Sequence, residues 1–259
     1  EFSINSVPQF GKLQVSRTLY ISLMAILGGV KKAARDPYTK GLNRLVRFSD
    51  REMEETFGID VVHQFLIEVK VYHAQGFNKF RQSCNIEMNS LFASLDPLEN
   101  IEAMEKAEKS AGKSGSHFLF SADGRFILKS VTEFEIRSLM QLTAAKVNDP
   151  SYFQYFDKNP HSFLGKIYGA YRVRHAFFAT KSYLLLMENV NGGVPKISRP
   201  TIYDLKGSSH GREKIPKSLT SVSEAMLTSG VLKDNDFLRF QGKIVLQPDE
   251  FRRLMDQLQ

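Results

Sequence analysis

The 259-residue sequence holds one cysteine, Cys84. No intrachain disulfide can form, and an unstapled chain of this size fits a reducing compartment such as the cytosol. Its six histidines are scattered and make no metal-ligand spacing such as H-E-x-x-H, so no structural metal is expected. Long apolar runs are also missing. The longest, Leu19 to Val30 (LYISLMAILGGV), falls short of the roughly 20 residues that cross a bilayer core. It is followed by no small-residue cleavage site, and it reads as part of a buried helix over residues 10–32. There is no repeat and no long low-complexity segment. The chain starts at Glu1 and stops at Gln259 within an amphipathic helical pattern, Asp249 to Gln259, with Phe251, Leu254, Met255 and Leu258 on one face. Both ends read as cut.

One further absence bears on nucleotide chemistry. Gly112, Lys113 and Ser114 spell the last letters of a Walker-type phosphate loop, but the glycine required five positions before Gly112 is replaced by Ala107. A different device stays open, in which a glycine-rich turn joins antiparallel strands and lays backbone amides over a nucleotide.

What is present suits a globular chain with a basic balance. Hydrophobic residues make up 42%, enough for a substantial core in one large domain or two lobes, and the formal net charge of +7 points to an anionic partner. Residues 117–121 and 126–131 are rich in aromatic and β-branched side chains and flank Ala122-Asp123-Gly124-Arg125, whose Asp-Gly pair signals a hairpin. Along the second strand Ile127, Lys129 and Val131 share a face, so Lys129 points with apolar neighbours. Two accounts of that lysine stand side by side. It snorkels into water at the sheet rim, or its ammonium meets nucleotide phosphates beneath the glycine loop.

Elsewhere the patterns give a half-buried strand at 66–72 (LIEVKVY), helical stretches at 77–84 and 88–95, and a polar, solvated approach at 99–112. Thr132 and Glu135 form a capping box ahead of a helix with Phe134, Ile136, Leu139, Met140 and Leu142 at helical spacing. Apolar strands follow at 167–173 and 182–187, then a flexible connector at 188–193 and a third strand at 201–205. Glycine loop, lysine hairpin, helix, two strands and connector follow one another as in a kinase amino-terminal lobe, where a helix glutamate holds the lysine. Glu133 and Glu135 are the candidate partners for Lys129. Both are also first-turn glutamates that a helix dipole favours.

Several separated blocks resemble the phosphatidylinositol phosphate kinase family. They are GKSGSHFLFSADGRFILKSV (112–131), NPHSFLGKIYGAYRV (159–173), YLLLMENV (183–190), YDLKGSSHGRE (203–213), LKDNDFL (232–238) and a strand-plus-helix KIVLQPDEFRRLMDQLQ (243–259), with EVKVYHAQGFNKFRQSCNI upstream. The resemblance implies an α+β, kinase-like two-lobed fold with an antiparallel sheet, flanking helices and an incomplete second lobe. It divides the chain into an amino-terminal lobe, 1–190, and a partial carboxy-terminal lobe, 191–259. It implies that Gly112, Ser114, Gly115 and Ser116 shape a nucleotide-covering loop and that Lys129 holds ATP phosphates. Met187, Glu188, Asn189 and Val190 would line the hinge beside adenine. Lys206 would contact nucleotide or the transferring phosphate, and Arg212 the headgroup phosphate of a phosphoinositide lipid. A compact ammonium and a planar guanidinium suit two sides of a polyanion, although Arg212 also reads as a solvated basic turn. His210 is assigned to the surface.

The family's M-D-Y-S-L-L stretch and its later magnesium-binding Asp are absent from the 259 residues. Since phosphoryl transfer needs nucleophile, phosphates and Mg2+ placed together, the expectation is a catalytic-domain fragment that is inactive alone. The implied cofactors are ATP and Mg2+. The implied setting is a cytoplasmic protein peripheral at an anionic membrane surface, with a homodimer through the amino-terminal region. The competing function is a non-catalytic module for anionic membranes or dimerisation, using Lys206, Arg212, Lys214 and Lys217. Nucleic acid is not expected, because no helix-turn-helix, zinc or aromatic-sheet signature accompanies the charge.

Overall fold

The computed structural model describes residues 26, 43–48, 67–96, 99–100, 103, 116–144, 150–175, 180–192, 201–219, 221 and 230–258. The chain divides into two compact units, Glu1–Gly193 and Val194–Gln259, and both mix helices and strands in an α+β arrangement.

The first unit is built on a six-stranded antiparallel sheet. Its strands are β1 (Asn43–Phe48), β2 (Ile67–Tyr72), β3 (Phe118–Phe120), β4 (Phe126–Val131), β5 (Ile167–His175) and β6 (Thr180–Glu188), in the order β1-β2-β5-β6-β4-β3. Period-two alternation separates two cores on its two faces. Val69, Val71, Leu128, Tyr171, Val173, Leu184 and Leu186 belong to one. Tyr72, Ala170 and Leu185 belong to the other, with Val131, Tyr183 and Met187 packed against it. The 66–72 segment was expected to be half-buried, yet its charged residue Glu68 is only 8% exposed, because β2 lies between β1 and β5.

Helices α1 (Ala74–Ser83), α2 (Met88–Ser94), α3 (Glu133–Thr143) and α4 (Tyr152–Lys158) accompany the sheet among the described residues. Local sequence explains where two of them start: Thr132 and Ser151 each cap, and Glu135 and Gln154 reach back to the cap backbone. Phe77, Phe80, Tyr152, Phe153 and Phe156 join α1 to α4 through ring contacts with centroids 5.2–6.5 Å apart. Two of these contacts, Phe77–Phe153 and Phe80–Tyr152, are edge to face, a geometry that stabilises beyond the area buried.

A register shift between Ile167 and Gly169 bulges β5. At the bulge Arg81 Nη1 donates to the Tyr168 carbonyl at 2.7 Å. Gly169 admits the Tyr171 hydroxyl, which lies 2.2 Å from where a Cβ at 169 would stand. That hydroxyl is buried and makes no hydrogen bond.

The second unit pairs β7 (Ile202–Asp204) in parallel with β8 (Val231–Lys233), followed by α5 (Asp234–Phe240) and α6 (Pro248–Leu258). Among its described residues Ile215 and Leu232 are buried and apolar, with Tyr203, Leu219 and Phe240 against them.

Two expectations need correction, and two helices that form as expected leave apolar residues exposed. The strand expected at the start of 243–259 does not form: Ile244 and Val245 are 65% and 75% exposed in an irregular stretch leading to α6. A β-branched pair does not make a strand unless a neighbouring strand supplies its hydrogen bonds. Asn100, placed in a solvated approach, is fully buried. Phe134 and Leu142 share the helical spacing of α3 but are exposed, while Ile136 and Leu139 carry its packing. Phe251 and Met255, on the apolar face of α6, are also exposed. The helix proposed at 10–32 lies outside the described residues except for Ile26, which is helical and buried in the first core.

Candidate functional site

The hairpin expected around Lys129 is formed by β3 and β4, closed through Ser121 and Phe126, with Gly124 at φ 75° in the turn. Lys129 stands in a cross-sheet row between Phe118 on β3 and Leu185 on β6. Its strand runs directly into Thr132, the cap of α3, so the cap stands three residues after the lysine and the helix begins at the next residue. Glu135 Oε2 accepts from the Thr132 backbone N–H at 2.7 Å and from its hydroxyl at 2.9 Å. The other carboxylate oxygen, Oε1, lies 3.5 Å from Lys129 Nζ.

Both accounts of Glu135 therefore hold at once: it caps the helix and it faces the lysine. Hydrogen bonds from Thr132, with the ammonium of Lys129 adding to them, hold its carboxyl below the ordinary range. Glu133 instead pairs with Arg137 at 2.7 Å. The Lys129 side chain is 27% exposed, with its ammonium 5.9 Å from the Phe118 ring centroid. A cation fixed in this way, open on one side, can meet an anion with little further ordering. Ser116 is half-buried just before β3, and the next residue, His117, donates its backbone N–H to Ser130 Oγ at 2.7 Å. Gly112, Ser114 and Gly115 lie outside the described residues.

At the end of β6 the turn Asn189–Gly192 interlocks with the hairpin turn. Asn189 N donates to the Arg125 carbonyl at 3.0 Å, and its side-chain amide donates to the Gly124 carbonyl at 2.6 Å. Gly192 is required by this approach: a Cβ there would stand 2.2 Å from the Gly124 oxygen. Glu188 donates its backbone N–H to Lys166 O at 2.8 Å, and its carboxylate lies 3.7 Å from Lys166 Nζ. The backbone amides of Glu188 and Asn189, two of the residues expected to line the hinge, are thus already engaged. Met187 is half-buried and Val190 is 69% exposed.

Sequence reasoning missed the support beneath the hairpin turn. Asp123 accepts from Ser94 Oγ, from Ser121 Oγ at 2.6 Å and from Arg125 N at 3.1 Å. Asn100 donates to the carbonyls of Ser94 (3.0 Å) and Asp96 (2.7 Å) and accepts from Ala122 N at 2.8 Å. The Asp-Gly pair was the only local signal. The partners lie 22 and 29 residues away in sequence.

In the second unit, Asp234 at the start of α5 organises the loop after β7. Its Oδ1 accepts from the backbone N–H groups of Lys206 and Gly207, each at 2.8 Å, while its Oδ2 accepts from Arg212 Nε at 2.7 Å. Arg212 also lies 3.2 Å from Asp204 Oδ2 and donates to the Asp204 carbonyl. Asp236, fully buried, accepts from the N–H groups of Lys214 (3.1 Å), Ile215 (3.1 Å) and Lys233 (3.0 Å). The YDLKGSSHGRE and LKDNDFL blocks are therefore stitched together by two aspartates. The guanidinium of Arg212 has a side chain only 12% exposed, whereas Lys206 is 63% exposed and 3.7 Å from Asp204. His210 is exposed, as expected.

Among the described residues no group of three or more His, Cys, Asp or Glu side chains is placed to hold a metal ion. Asp204 and Asp234 are both spent on Arg212, so together they do not fit a magnesium site as they stand. Among the described residues no helix is long and apolar enough to cross a membrane.

A sequence model described as phosphatidylinositol-4-phosphate 5-kinase matches residues 100–259, more than half of the chain. A Dictyostelium discoideum protein named as a probable phosphatidylinositol phosphate kinase is 33% identical over 191 residues, covering 73% of this chain and 24% of that protein. An Arabidopsis thaliana 1-phosphatidylinositol-3-phosphate 5-kinase is 29% identical over 253 residues, 91% of this chain and 13% of the relative. A Rattus norvegicus phosphatidylinositol 4-phosphate 5-kinase type-1 alpha is 29% identical over 194 residues, 73% of this chain and 31% of the relative. The chain spans less than a third of the length of each of these three relatives.

Proposed function

Because the chain belongs to the phosphatidylinositol-4-phosphate 5-kinase family, we propose that it contributes to ATP-dependent phosphorylation of the inositol ring of a phosphatidylinositol phosphate. The observation that carries this reading is Lys129 at the end of a hairpin strand, 3.5 Å from the first-turn carboxylate of the following helix. A lysine–glutamate pair of this kind is how kinases hold a cation against nucleotide phosphates.

In this reading the first unit acts as a kinase amino-terminal lobe and the second as part of a carboxy-terminal lobe. Gly112, Ser114, Gly115 and Ser116 cover the nucleotide, Lys129 neutralises its phosphates, and Met187, Glu188, Asn189 and Val190 border adenine. Lys206, exposed at the tip of the β7 loop, meets the transferring phosphate. Arg212, its guanidinium already bound to Asp204 and Asp234, serves by shaping that loop. Catalysis of phosphoryl transfer rests on such positioned charge. Magnesium, when bound, supplies further neutralisation of phosphate charge. The substrate would be met at an anionic cytoplasmic leaflet, with a homodimer formed through the amino-terminal region.

The 259 residues carry these cations without an M-D-Y-S-L-L stretch, so by themselves they are expected to bind nucleotide and not to transfer phosphate. The test is transfer of labelled phosphate from ATP to vesicles containing a phosphatidylinositol phosphate, by a longer form that carries that stretch. Transfer that falls about a hundredfold or more in Lys129→Met supports the reading. No transfer to any phosphatidylinositol phosphate, or an unchanged rate in Lys129→Met, overturns it.

A further inference from the structure

The sheet face that carries Lys129 also carries a second block of cations, further along the strands. Lys70 on β2 stands directly opposite Arg172 on β5, and Arg172 opposite Tyr183 on β6. In the next row Glu68 stands opposite Arg174, and Arg174 opposite Lys181. Directly opposed side chains have Cβ atoms about 4.5–5.5 Å apart, and like charges there destabilise a sheet. Lys70 with Arg172 and Arg174 with Lys181 are two such pairs.

Local compensation is small. Glu68 lies 3.5 Å from Arg174. Glu133, a second carboxylate near this block, is bound to Arg137 at 2.7 Å. Among the described residues no carboxylate forms an ion pair with Lys70, Arg172 or Lys181. The ammonium of Lys70 lies 4.9 Å from the Tyr72 ring centroid, and Arg172 Nε is buried without a hydrogen-bond partner. On β2, β5 and β6 these two rows hold four cations against one carboxylate, with like charges opposed, and a folded chain that keeps them so gains stability when an anion binds there.

We propose that Lys70, Arg172 and Lys181 form a binding site for a phosphomonoester anion, separate from Lys129. The chemistry suits that ligand. A planar guanidinium can take two oxygens of a phosphate while two mobile ammoniums approach the others. Lys181 is four residues along β6 from Leu185, the strand partner of Lys129, which puts roughly 13 Å between the two positions. The inference goes beyond the kinase reading and does not depend on it. A free anion and a lipid headgroup present the same phosphomonoester, and the recognition is the same for both.

The experiment compares the chain with a Lys70→Gln/Lys181→Gln double variant and with Lys129→Met. One arm follows thermal unfolding as inorganic phosphate is added, against sodium chloride at matched ionic strength. The other follows sedimentation with phosphatidylcholine vesicles with and without phosphatidic acid. The double variant unfolds at a higher temperature than the parent when no anion is present, because two like-charge oppositions are gone. In at least one arm the parent responds to the phosphomonoester, the double variant binds it at least about tenfold more weakly, and Lys129→Met responds as the parent does. A response in the first arm identifies a free anion, and one confined to the second identifies a headgroup. The proposal is overturned if neither arm responds, or if the double variant responds like the parent. It is also overturned if Lys129→Met alone abolishes the response, a result that leaves the nucleotide role of Lys129 standing.

Discussion

Arg212 and Asp234, 22 residues apart in the chain, form a 2.7 Å ion pair that closes the loop after β7 onto the start of α5. The same carboxylate accepts two backbone N–H groups, from Lys206 and Gly207. The guanidinium and these N–H groups hold the Asp234 carboxyl far below the ordinary carboxylate range. A group with a depressed folded pKa adds stability above its unfolded pKa of about 4 and loses it as pH falls towards the folded value. Thermal unfolding followed from pH 7 into the acid range should therefore show a declining limb below about pH 4 that Asp234→Asn reduces, with Asp234→Asn already less stable at neutral pH. Superimposed acid limbs for parent and variant would contradict the assignment.

Glu135 serves both helix capping and Lys129, and two substitutions separate these roles. Thr132→Ala removes the cap and should cost about 1 kcal/mol of stability. Glu135→Gln keeps a side chain able to cap but removes the charge that faces the lysine. Calorimetric melts should show the larger stability loss in Thr132→Ala. A nucleotide-binding isotherm should show the larger affinity loss in Glu135→Gln.

The hydroxyl of Tyr171 is fully buried without a hydrogen-bond partner, and burial raises its pKa. Removing an unsatisfied buried polar atom is neutral or stabilising. Denaturant unfolding of Tyr171→Phe should give stability equal to the parent or up to about 1 kcal/mol higher. Arg81→Met should behave oppositely, since it strips the Tyr168 carbonyl of its 2.7 Å donor, at a cost of about 1–3 kcal/mol.

Gly192→Ala should be among the most damaging single changes in the first unit, because the new methyl group meets a backbone oxygen rather than a movable side chain. Asn189→Ala removes one hydrogen bond to the same carbonyl and should cost about 1 kcal/mol. Loss of stability in the order Gly192→Ala, then Asn189→Ala, is the expected outcome of urea titrations. A Gly192→Ala variant as stable as the parent would mean that the two turns do not touch.

Much of the first unit is legible in the sequence because its signals are local. The alternation of 126–131, the Asp-Gly turn and the Thr132–Glu135 box each lie within a few residues and coincide with β4, the hairpin and the α3 cap. What local pattern cannot give is the partner of a polar group. Asn100 sits in a stretch of charged residues, yet it is buried because Ala122 and the end of α2 offer it three hydrogen bonds. Arg212 reads as a substrate-facing cation until Asp204 and Asp234 are seen around it. Periodicity has the same limit: it groups Phe134 with Ile136 and Leu139 but does not say which of them another element covers. The 244–246 run shows the converse, since β-branched residues are present and no strand forms. The Lys129–Glu135 pair was legible as one of two choices, and the geometry of the helix start decided between them.

The central claim is that the Lys129 ammonium, held by Glu135, engages nucleotide phosphates. It is tested most directly by equilibrium binding of ATP and of AMP to the chain and to Lys129→Met. The account predicts that the parent prefers ATP over AMP and that Lys129→Met loses about tenfold or more of that preference, since a charge-assisted contact to the distal phosphates is gone. An equal ATP-to-AMP preference in parent and variant would contradict it.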